Sequence, residues 1–288
     1  MWSPEHERYL GYAGPLTDGP VDLWLSKDLS TWVYYPENPI LTDVGLRWPS
    51  VILNDGTYCM AARRASGTRS NWQWSFRRSL LNQAAQIKPL FAVRRGINSL
   101  SRSISPFPTV IALYTSRDGI EFSHERVLVP QGANGNRFNQ NPFLFRDPCS
   151  DDVVLLYFSG DGDTWEIHCR RAQTVFELKS AEDVTLRTAH ETLAAPAMFY
   201  DQAVQQYVLF TETLEEGKRW VTNVYRDTEL AAGFGDTAET VYPNDEACAA
   251  PFVFGDSLVV FISKRNQRGL FPSWEGHLYQ YSLSSTSG

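Results

Sequence analysis

The sequence has few of the residues and patterns that mark metal-binding and redox proteins. Only four of its 288 residues are cysteine, and no two of them form a Cys-x-x-Cys pair. Cys59 and Cys169 fall in predicted strands and are most simply buried free thiols, which favours a reducing, cytoplasmic setting. The five histidines show no spacing typical of metal ligands, so we expect neither a metal nor a cofactor.

Other absences exclude further classes of protein. No apolar run approaches the roughly 18 residues that cross a bilayer, and the N-terminus has neither the basic nor the apolar region of a signal peptide. The net charge of −7 argues against a nucleic-acid partner. There is no Gly-x-Ser-x-Gly elbow, no phosphate-binding loop and no dinucleotide motif.

Acidic residues are missing from one long stretch. Between Gly56 and Arg117 there is no aspartate or glutamate, although the same stretch holds ten lysines and arginines. Within it, residues 66–108 predict an insert, and an apolar stripe predicts a helix from Trp72 to Lys88. Three hypotheses remain open for this basic insert: docking on the acidic body or on a second copy of the chain, an anion-binding lid, or contact with a membrane surface.

What the sequence does contain is a repeat. Short hydrophobic runs follow Pro49, Pro142, Pro196 and Pro251, and a partial copy lies near the N-terminus. The last three prolines are 54 and 55 residues apart, while the first interval is longer by about the length of the insert. A period of this length with four short strands per unit is typical of propeller blades. We predict one all-β domain over residues 1–288, a five-bladed β-propeller with a helical insertion in its second blade.

Closure of the ring and two turns can also be predicted. The strand from His277 to Leu283 should lie beside the N-terminal segment, because closure removes exposed edges. In Ser26-Lys27-Asp28 and Ser116-Arg117-Asp118, the aspartate ends a strand in a turn, where its default role is to bond its own backbone.

Several motifs resemble those of the five-bladed β-propeller glycoside hydrolases, the arabinanase, β-xylosidase and invertase kind. They are the segment from Asp22 to Trp32, Trp48-Pro49-Ser50-Val51, and Tyr114 to Ile120. The resemblance covers nearly the whole chain. It implies carboxylates that face the central funnel: a base or nucleophile, a general acid, and a third group that adjusts the pKa of the acid.

The chain departs from the family pattern at three positions. The family usually has an aspartate ahead of the first inner strand, and this chain begins with Trp2-Ser3-Pro4. Asn141 stands where an aspartate often precedes the third-blade proline. Ala194 stands where a glutamate often lies two residues before the fourth-blade proline. The family's catalytic residues therefore cannot be carried over to this chain.

Candidate site residues are those that a propeller brings to one mouth of its funnel, before each inner strand and after each second strand. Glu212 belongs to this set. From it we select Glu246 and Glu191 as acid and base, with Asp163 as a third carboxylate. Both glutamates lie five residues before a proline, which suggests equivalent places in adjacent blades. Trp48 and Trp165 would stack on sugar rings. The remaining substrate-binding candidates are Arg47, Arg63, Arg64, Asn141, Lys264 and Arg265.

Two functional hypotheses follow. The first is a glycoside hydrolase acting on oligosaccharides or polysaccharides, including anionic ones that Arg63 and Arg64 would select together at the mouth. The second is a propeller without hydrolytic activity that serves carbohydrate binding or assembly. The missing N-terminal aspartate and Asn141 favour the second hypothesis, and the basic lid and the carboxylates at the mouth favour the first.

Overall fold

The computed structural model describes residues 1–14, 19–43, 45–65, 109–133, 138–160, 164–189, 193–214, 219–235, 237–243, 245–254, 257–266 and 273–282. In these residues the regular elements are β-strands, apart from one 3₁₀ turn at Glu177–Lys179. None of the described segments forms a helix that could span a bilayer. The predicted insert, residues 66–108 with its helix from Trp72 to Lys88, lies outside the described residues.

The strands form five antiparallel sheets, each built from strands consecutive in sequence. Blade 1 contains β1 (Trp2–Ser3), β2 (Arg8–Ala13), β3 (Asp22–Ser26) and β4 (Trp32–Tyr34). Blade 2 contains β5 (Arg47–Asn54), β6 (Thr57–Ala65), β7 (Thr109–Ser116) and β8 (Ser123–Val129). Blade 3 contains β9 (Phe138–Arg146), β10 (Val153–Gly160), β11 (Trp165–Ala172) and β12 (Asp183–Ala189). Blade 4 contains β13 (Leu193–Asp201), β14 (Gln206–Leu214), β15 (Trp220–Asp227) and β16 (Glu239–Tyr242). Blade 5 contains β17 (Glu246–Phe254), β18 (Ser257–Asn266) and β19 (Ser273–Ser282). The predicted five-bladed, all-β architecture is confirmed.

The core lies between the blades. Leu113 of blade 2 packs with Leu144 of blade 3, and Phe158 of blade 3 packs with Met198 of blade 4. Between blades 4 and 5 the buried residues include Phe210 and Val260. Each central strand is apolar on both faces because each face is covered by a neighbouring blade, which explains the continuous hydrophobic runs in the sequence.

The Ser-x-Asp turns have the structural role predicted for them. Asp28 Oδ1 accepts hydrogen bonds from the amides of Ser30 and Thr31, at 2.9 and 2.8 Å. Asp118 Oδ1 accepts from the amides of Ile120 and Glu121, both at 2.9 Å. Both aspartates therefore hold the turn after a third strand and are committed to the backbone.

A β-bulge recurs at one level in the inner strands of blades 2 to 5. It comprises Trp48-Pro49, Asn141-Pro142, Ala195-Pro196 and Cys248-Ala249, where two residues oppose one on the second strand. The first residue of each pair has a positive φ, between 46° and 56°. This conformation costs about 1–2 kcal/mol for a residue other than glycine, so its recurrence marks a position fixed by the fold.

The bulges correct the register that the prolines suggested. In blade 5 the residue equivalent to Pro49, Pro142 and Pro196 is Ala249, and Pro251 lies two residues further along. Counted from its bulge, Glu246 is equivalent to Leu193 and not to Glu191. The proposed equivalence of the two glutamates was wrong, because the proline of blade 5 sits after the bulge and not within it.

The ring closes through side chains. Tyr9 of blade 1 makes edge contacts with Phe252 and Phe254 of blade 5, at centroid distances of 6.4 and 5.6 Å, and Trp32 contacts Phe261 at 5.7 Å. Blade 5 has three strands in the described residues, and β19 forms its outer strand. Among the described side chains, the aromatic contacts that join blade 5 to blade 1 thus come from β17 and β18, whereas the last strand was predicted to lie beside the N-terminal segment.

Replacement of Tyr9 tests this closure. Tyr9 is 5 % exposed and contacts three aromatic rings, so Tyr9→Ala should lower the free energy of unfolding by about 3 kcal/mol. Tyr34→Ala, at an exposed tyrosine of the same blade, is the matched control. Urea unfolding curves measure both changes. A loss for Tyr9→Ala no larger than that of the control would contradict aromatic closure of the ring.

Candidate active site at the mouth of the ring

We call the mouth the end of the ring at which the inner strands β5, β9, β13 and β17 begin. The bulges lie near this end. One residue before each bulge, the inner strand pairs with a residue on the second strand of the same blade. Those second-strand residues are Arg63, Phe158, Glu212 and Ser263. The same level of the ring therefore carries a cation, an aromatic ring, a carboxyl group and a hydroxyl group in successive blades.

Glu212 occupies the place of greatest chemical interest at this level. Its partner across the strand pair is Ala194, the residue that replaces the glutamate suggested by the family resemblance. The side chain of Glu212 reaches blade 5, where its Oε2 accepts a hydrogen bond of 3.0 Å from the backbone amide of Cys248. Cys248 is the bulged residue of β17, so the irregular backbone of one blade orients the carboxyl group of the next.

Burial changes the acidity of this carboxyl group. Glu212 is 8 % exposed, and desolvation raises the pKa of Glu212 from 4.5 to about 7. The hydrogen bond from the Cys248 amide opposes the rise but does not cancel it. A carboxyl group with a pKa near 7 is a suitable general acid, because it holds a proton near neutral pH and can release it.

Cys248 lies beside Glu212 and is partly buried. Its Sγ is 3.7 Å from Glu212 Oε2. Burial raises the pKa of the Cys248 thiol well above its ordinary value, the Glu212 charge adds to the rise, and the Arg47 guanidinium opposes it. Arg47 of blade 2 therefore acts electrostatically on a residue of blade 5. Blade 1, which separates these blades in the ring, has an inner strand of only two residues.

Arg47, Trp48 and Arg63 form a compact group on blade 2. Arg47 and Arg63 are directly opposite each other in the β5–β6 pair. The Arg47 guanidinium carbon lies 4.0 Å from the centroid of the Trp48 ring, a cation–π geometry. Arg63 is buried and donates from Nη1 to the carbonyl oxygen of Gly45, at 3.2 Å. These contacts place two cations and a tryptophan at one level of the mouth.

Arg64, the next residue, has a different environment. Its Nε lies 3.1 Å from Asp43 Oδ2, which also accepts a 2.8 Å hydrogen bond from the hydroxyl of Tyr114. Successive residues of a strand point to opposite faces, so Arg63 and Arg64 do not form a pair on one face of the sheet. The Asp43 ion pair anchors the segment that precedes β5.

Glu246, the first predicted acid, is held by its own blade. It is 4 % exposed, and its Oε1 accepts hydrogen bonds from Lys264 Nζ at 3.2 Å and from the Tyr279 hydroxyl at 2.8 Å. Tyr279 in turn stacks on Tyr242 of blade 4 with a centroid distance of 5.3 Å. These contacts suit an ion pair that fixes the boundary between blades 4 and 5. A catalytic role for Glu246 remains a prediction.

The other predicted residues fall into two groups. Asn141 is buried at the bulge of β9, and Trp165 begins β11, where its ring lies 5.3 Å from those of both Phe138 and Phe158. Trp165 therefore packs within blade 3. Glu191, Asp163 and the side chain of Arg265 lie outside the described residues.

Sequence reasoning placed Glu212 at the mouth but gave no reason to prefer it. The signal that distinguishes it is the register of β13 and β14, which sets Glu212 opposite Ala194. In the described part of the chain, no group of three or more histidine, cysteine, aspartate or glutamate side chains is arranged to hold a metal ion.

Comparisons with known proteins place the fold. No protein-family model matches the chain, and no curated protein matches it by sequence. An endo-arabinase structure from Bacteroides thetaiotaomicron is similar over 100 % of this chain and 93 % of its own, with 12 % identity and a TM-score of 0.66. An α-L-arabinanase from Cellvibrio cellulosa, complexed with arabinohexaose, is similar over 93 % of this chain and 94 % of its own, with 10 % identity and a TM-score of 0.56.

An exo-β-1,3-galactanase from Phanerochaete chrysosporium, with galactose, is also similar. The match covers 97 % of this chain but 58 % of the galactanase chain, with 13 % identity and a TM-score of 0.60. At such identities the likeness concerns the fold. The chain has the five-bladed propeller architecture of these glycoside hydrolases, as the sequence motifs predicted.

The acidity of Glu212 predicts how stability depends on pH. Its folded-state pKa, about 7, lies above the ordinary 4.5, so its contribution to stability is full below pH 4.5 and is lost as pH rises to about 7. Glu212→Gln cannot ionise and should gain stability over the wild type across this range, by an amount on the order of 3 kcal/mol above pH 7. Thermal unfolding between pH 4 and 8 measures the difference.

Glu239→Gln, at an exposed glutamate of the same blade, is the control for this experiment. It should change the melting temperature equally at every pH in the range. A difference between Glu212→Gln and the wild type that stayed constant with pH would show that Glu212 titrates normally.

Proposed function

We propose that this protein is a carbohydrate-active enzyme, a glycoside hydrolase in which Glu212 is the general acid. The observation that carries the proposal is the carboxyl group of Glu212, which is enclosed at the mouth with its pKa raised to about 7. Glycoside hydrolysis needs one carboxylic acid to protonate the leaving oxygen. The backbone amide of Cys248 holds one oxygen of this group, which orients the proton-bearing side chain.

Hydrolysis also requires a second carboxylate, which attacks the sugar or activates a water molecule. We propose that Glu191 or Asp163 supplies it, because the sequence pattern predicts both residues for the same mouth. Glu246 is the remaining candidate, and its ion pair with Lys264 would have to open for it to act. Whichever residue supplies it, the second carboxylate would act in its ionised form as nucleophile or base, while the buried Glu212 would act in its protonated form as the acid.

An oligosaccharide is the substrate class that we infer. The similar arabinanase structure contains arabinohexaose, and the galactanase structure contains galactose. Trp48 offers an aromatic ring at the mouth, and Arg47 and Arg63 supply positive charge beside it. That charge favours a substrate with carboxylate or sulfate groups. We therefore propose that anionic oligosaccharides are preferred over neutral ones.

Carbohydrate binding without hydrolysis is the second candidate function. It is favoured by Asn141 and Ala194, two residues without a carboxylate at positions where the family resemblance suggests catalytic groups. In that case Glu212 would serve as a buried hydrogen-bonding group for a bound sugar.

The leaving group of the substrate separates these functions. Glu212→Gln should lower kcat/KM for oligosaccharides by about 10²- to 10⁴-fold, the usual contribution of a general acid. Its activity on dinitrophenyl glycosides should be affected much less, because that leaving group departs without protonation. In the wild type, kcat/KM should decline as pH rises through about 7, where Glu212 loses its proton.

Two matched variants complete the experiment. Glu239→Gln removes an exposed carboxylate from blade 4 and should leave kcat/KM unchanged. Glu246→Gln tests the remaining described carboxylate of the predicted set. Equal losses on both classes of leaving group would exclude Glu212 as the acid. A wild type that binds oligosaccharides but cleaves none of them would establish the binding function instead.

A further inference from the structure

A cavity of about 230 Å³ lies between blades 3 and 4 at the mouth end of the ring. Its wall includes Arg187 and Thr188 from β12, and Thr213, Asn223 and Tyr225 from blade 4. The cavity is on the face of blade 4 that looks toward blade 3, whereas Glu212 lies on the face that contacts blade 5. It is thus distinct from the candidate active site. Its volume leaves room for a small polar ligand.

Arg187 is held in place by neutral partners in the described part of the structure. Its Nη1 donates to the carbonyl oxygens of Phe234 and Gly235, and its guanidinium carbon lies 3.9 Å from the centroid of the Tyr225 ring. These partners hold the guanidinium plane but carry no negative charge. Among the described residues no carboxylate forms an ion pair with Arg187. A preorganised guanidinium of this kind is suited to bind a carboxylate.

The rest of the wall supplies hydrogen-bonding groups. Asn223 is fixed at both ends, since its Nδ2 donates to Thr213 Oγ1 at 3.1 Å and its Oδ1 accepts from Thr240 Oγ1 at 2.8 Å. Thr188 is exposed at the rim. None of the five wall residues named above is acidic. The cavity therefore combines one cation and several hydroxyl or amide groups in a space suited to a small polyhydroxylated anion.

We propose that this cavity is a binding site for a uronic acid, with Arg187 pairing with the sugar carboxylate. The inference rests on the proposed function in one respect, namely that a carbohydrate is the ligand. Since the cavity and Glu212 lie at the same end of blade 4, a sugar chain that occupies both passes over the mouth edge of this blade. The site thus selects oligosaccharides that carry a uronic acid some distance from the bond at Glu212.

Binding is measured on the full chain by NMR titration with glucuronic and galacturonic acids, and with glucose and galactose as neutral counterparts. The wild type should bind the acids at least tenfold more tightly than the neutral sugars. Arg187→Gln should weaken binding of the acids by about 10- to 100-fold, the usual effect of one charge-assisted contact. Arg226→Gln, at an exposed arginine of β15 that does not line the cavity, should have no such effect.

A second pair of variants protects against loss of folding, because Arg187 also holds Phe234 and Gly235. Thr188→Asp places a negative charge at the exposed rim and should weaken binding of the acids, whereas Thr188→Asn should not. The titrations are repeated in Glu212→Gln, which should bind the acids like the wild type even if hydrolysis is lost. The experiment can therefore reject the proposed hydrolysis at Glu212 without rejecting uronic acid binding at the cavity, and the reverse.

Three results would overturn the proposal. They are equal binding of acidic and neutral sugars, unchanged affinity for the acids in both Arg187→Gln and Thr188→Asp, and binding of inorganic phosphate as tight as that of the uronic acids. The last result would define a simple anion site in place of a sugar site.

Discussion

The bulge in the inner strands of blades 2 to 5 is the constraint on which the centre of this ring depends. It fixes the register of each inner strand against its second strand, and so decides which side chains meet at the mouth. It also turns one backbone amide out of the regular ladder, and in blade 5 that amide binds Glu212. The positive φ at each bulge is unfavourable by itself and persists because the packed blades on either side hold it.

Burial sets the protonation of two side chains at the mouth. Glu212 is buried and its neighbour Cys248 is partly buried, so desolvation favours the protonated forms of both, and the Arg47 guanidinium acts against this trend at Cys248. Glu246 has a different environment, because its Oε1 accepts hydrogen bonds from a lysine and from a tyrosine hydroxyl. Two glutamates of adjacent blades, both almost inaccessible to solvent, are thereby suited to different tasks: Glu246 to holding blades together and Glu212 to exchanging a proton.

The sequence was sufficient for the architecture and insufficient for the site. Proline-led hydrophobic runs revealed five blades, because every blade must bury both faces and so repeats the same pattern. The Ser-x-Asp turns were also predictable, since their hydrogen bonds are local. Which carboxylate lies at the mouth depends on how each inner strand is aligned with its second strand. A bulge shifts this alignment by one residue, and no single residue type marks the bulge in the sequence. Pro251 misled the alignment of blade 5 by two residues for that reason, and Glu212 was recognised only through its partner Ala194.

The boundary between blades 5 and 1, which we call the seam, is closed by side-chain packing in the described residues. Blades 1 to 4 are each joined to the next blade by the chain as well as by packing, whereas the contacts between blades 5 and 1 in the described residues are made by rings such as Tyr9, Phe254, Trp32 and Phe261. Opening at this boundary stretches no chain connection between blades, so we expect it to require less free energy than separating two blades that the chain joins. We therefore expect amide hydrogens on either side of the seam to exchange through a partial opening that leaves blades 2 to 4 intact.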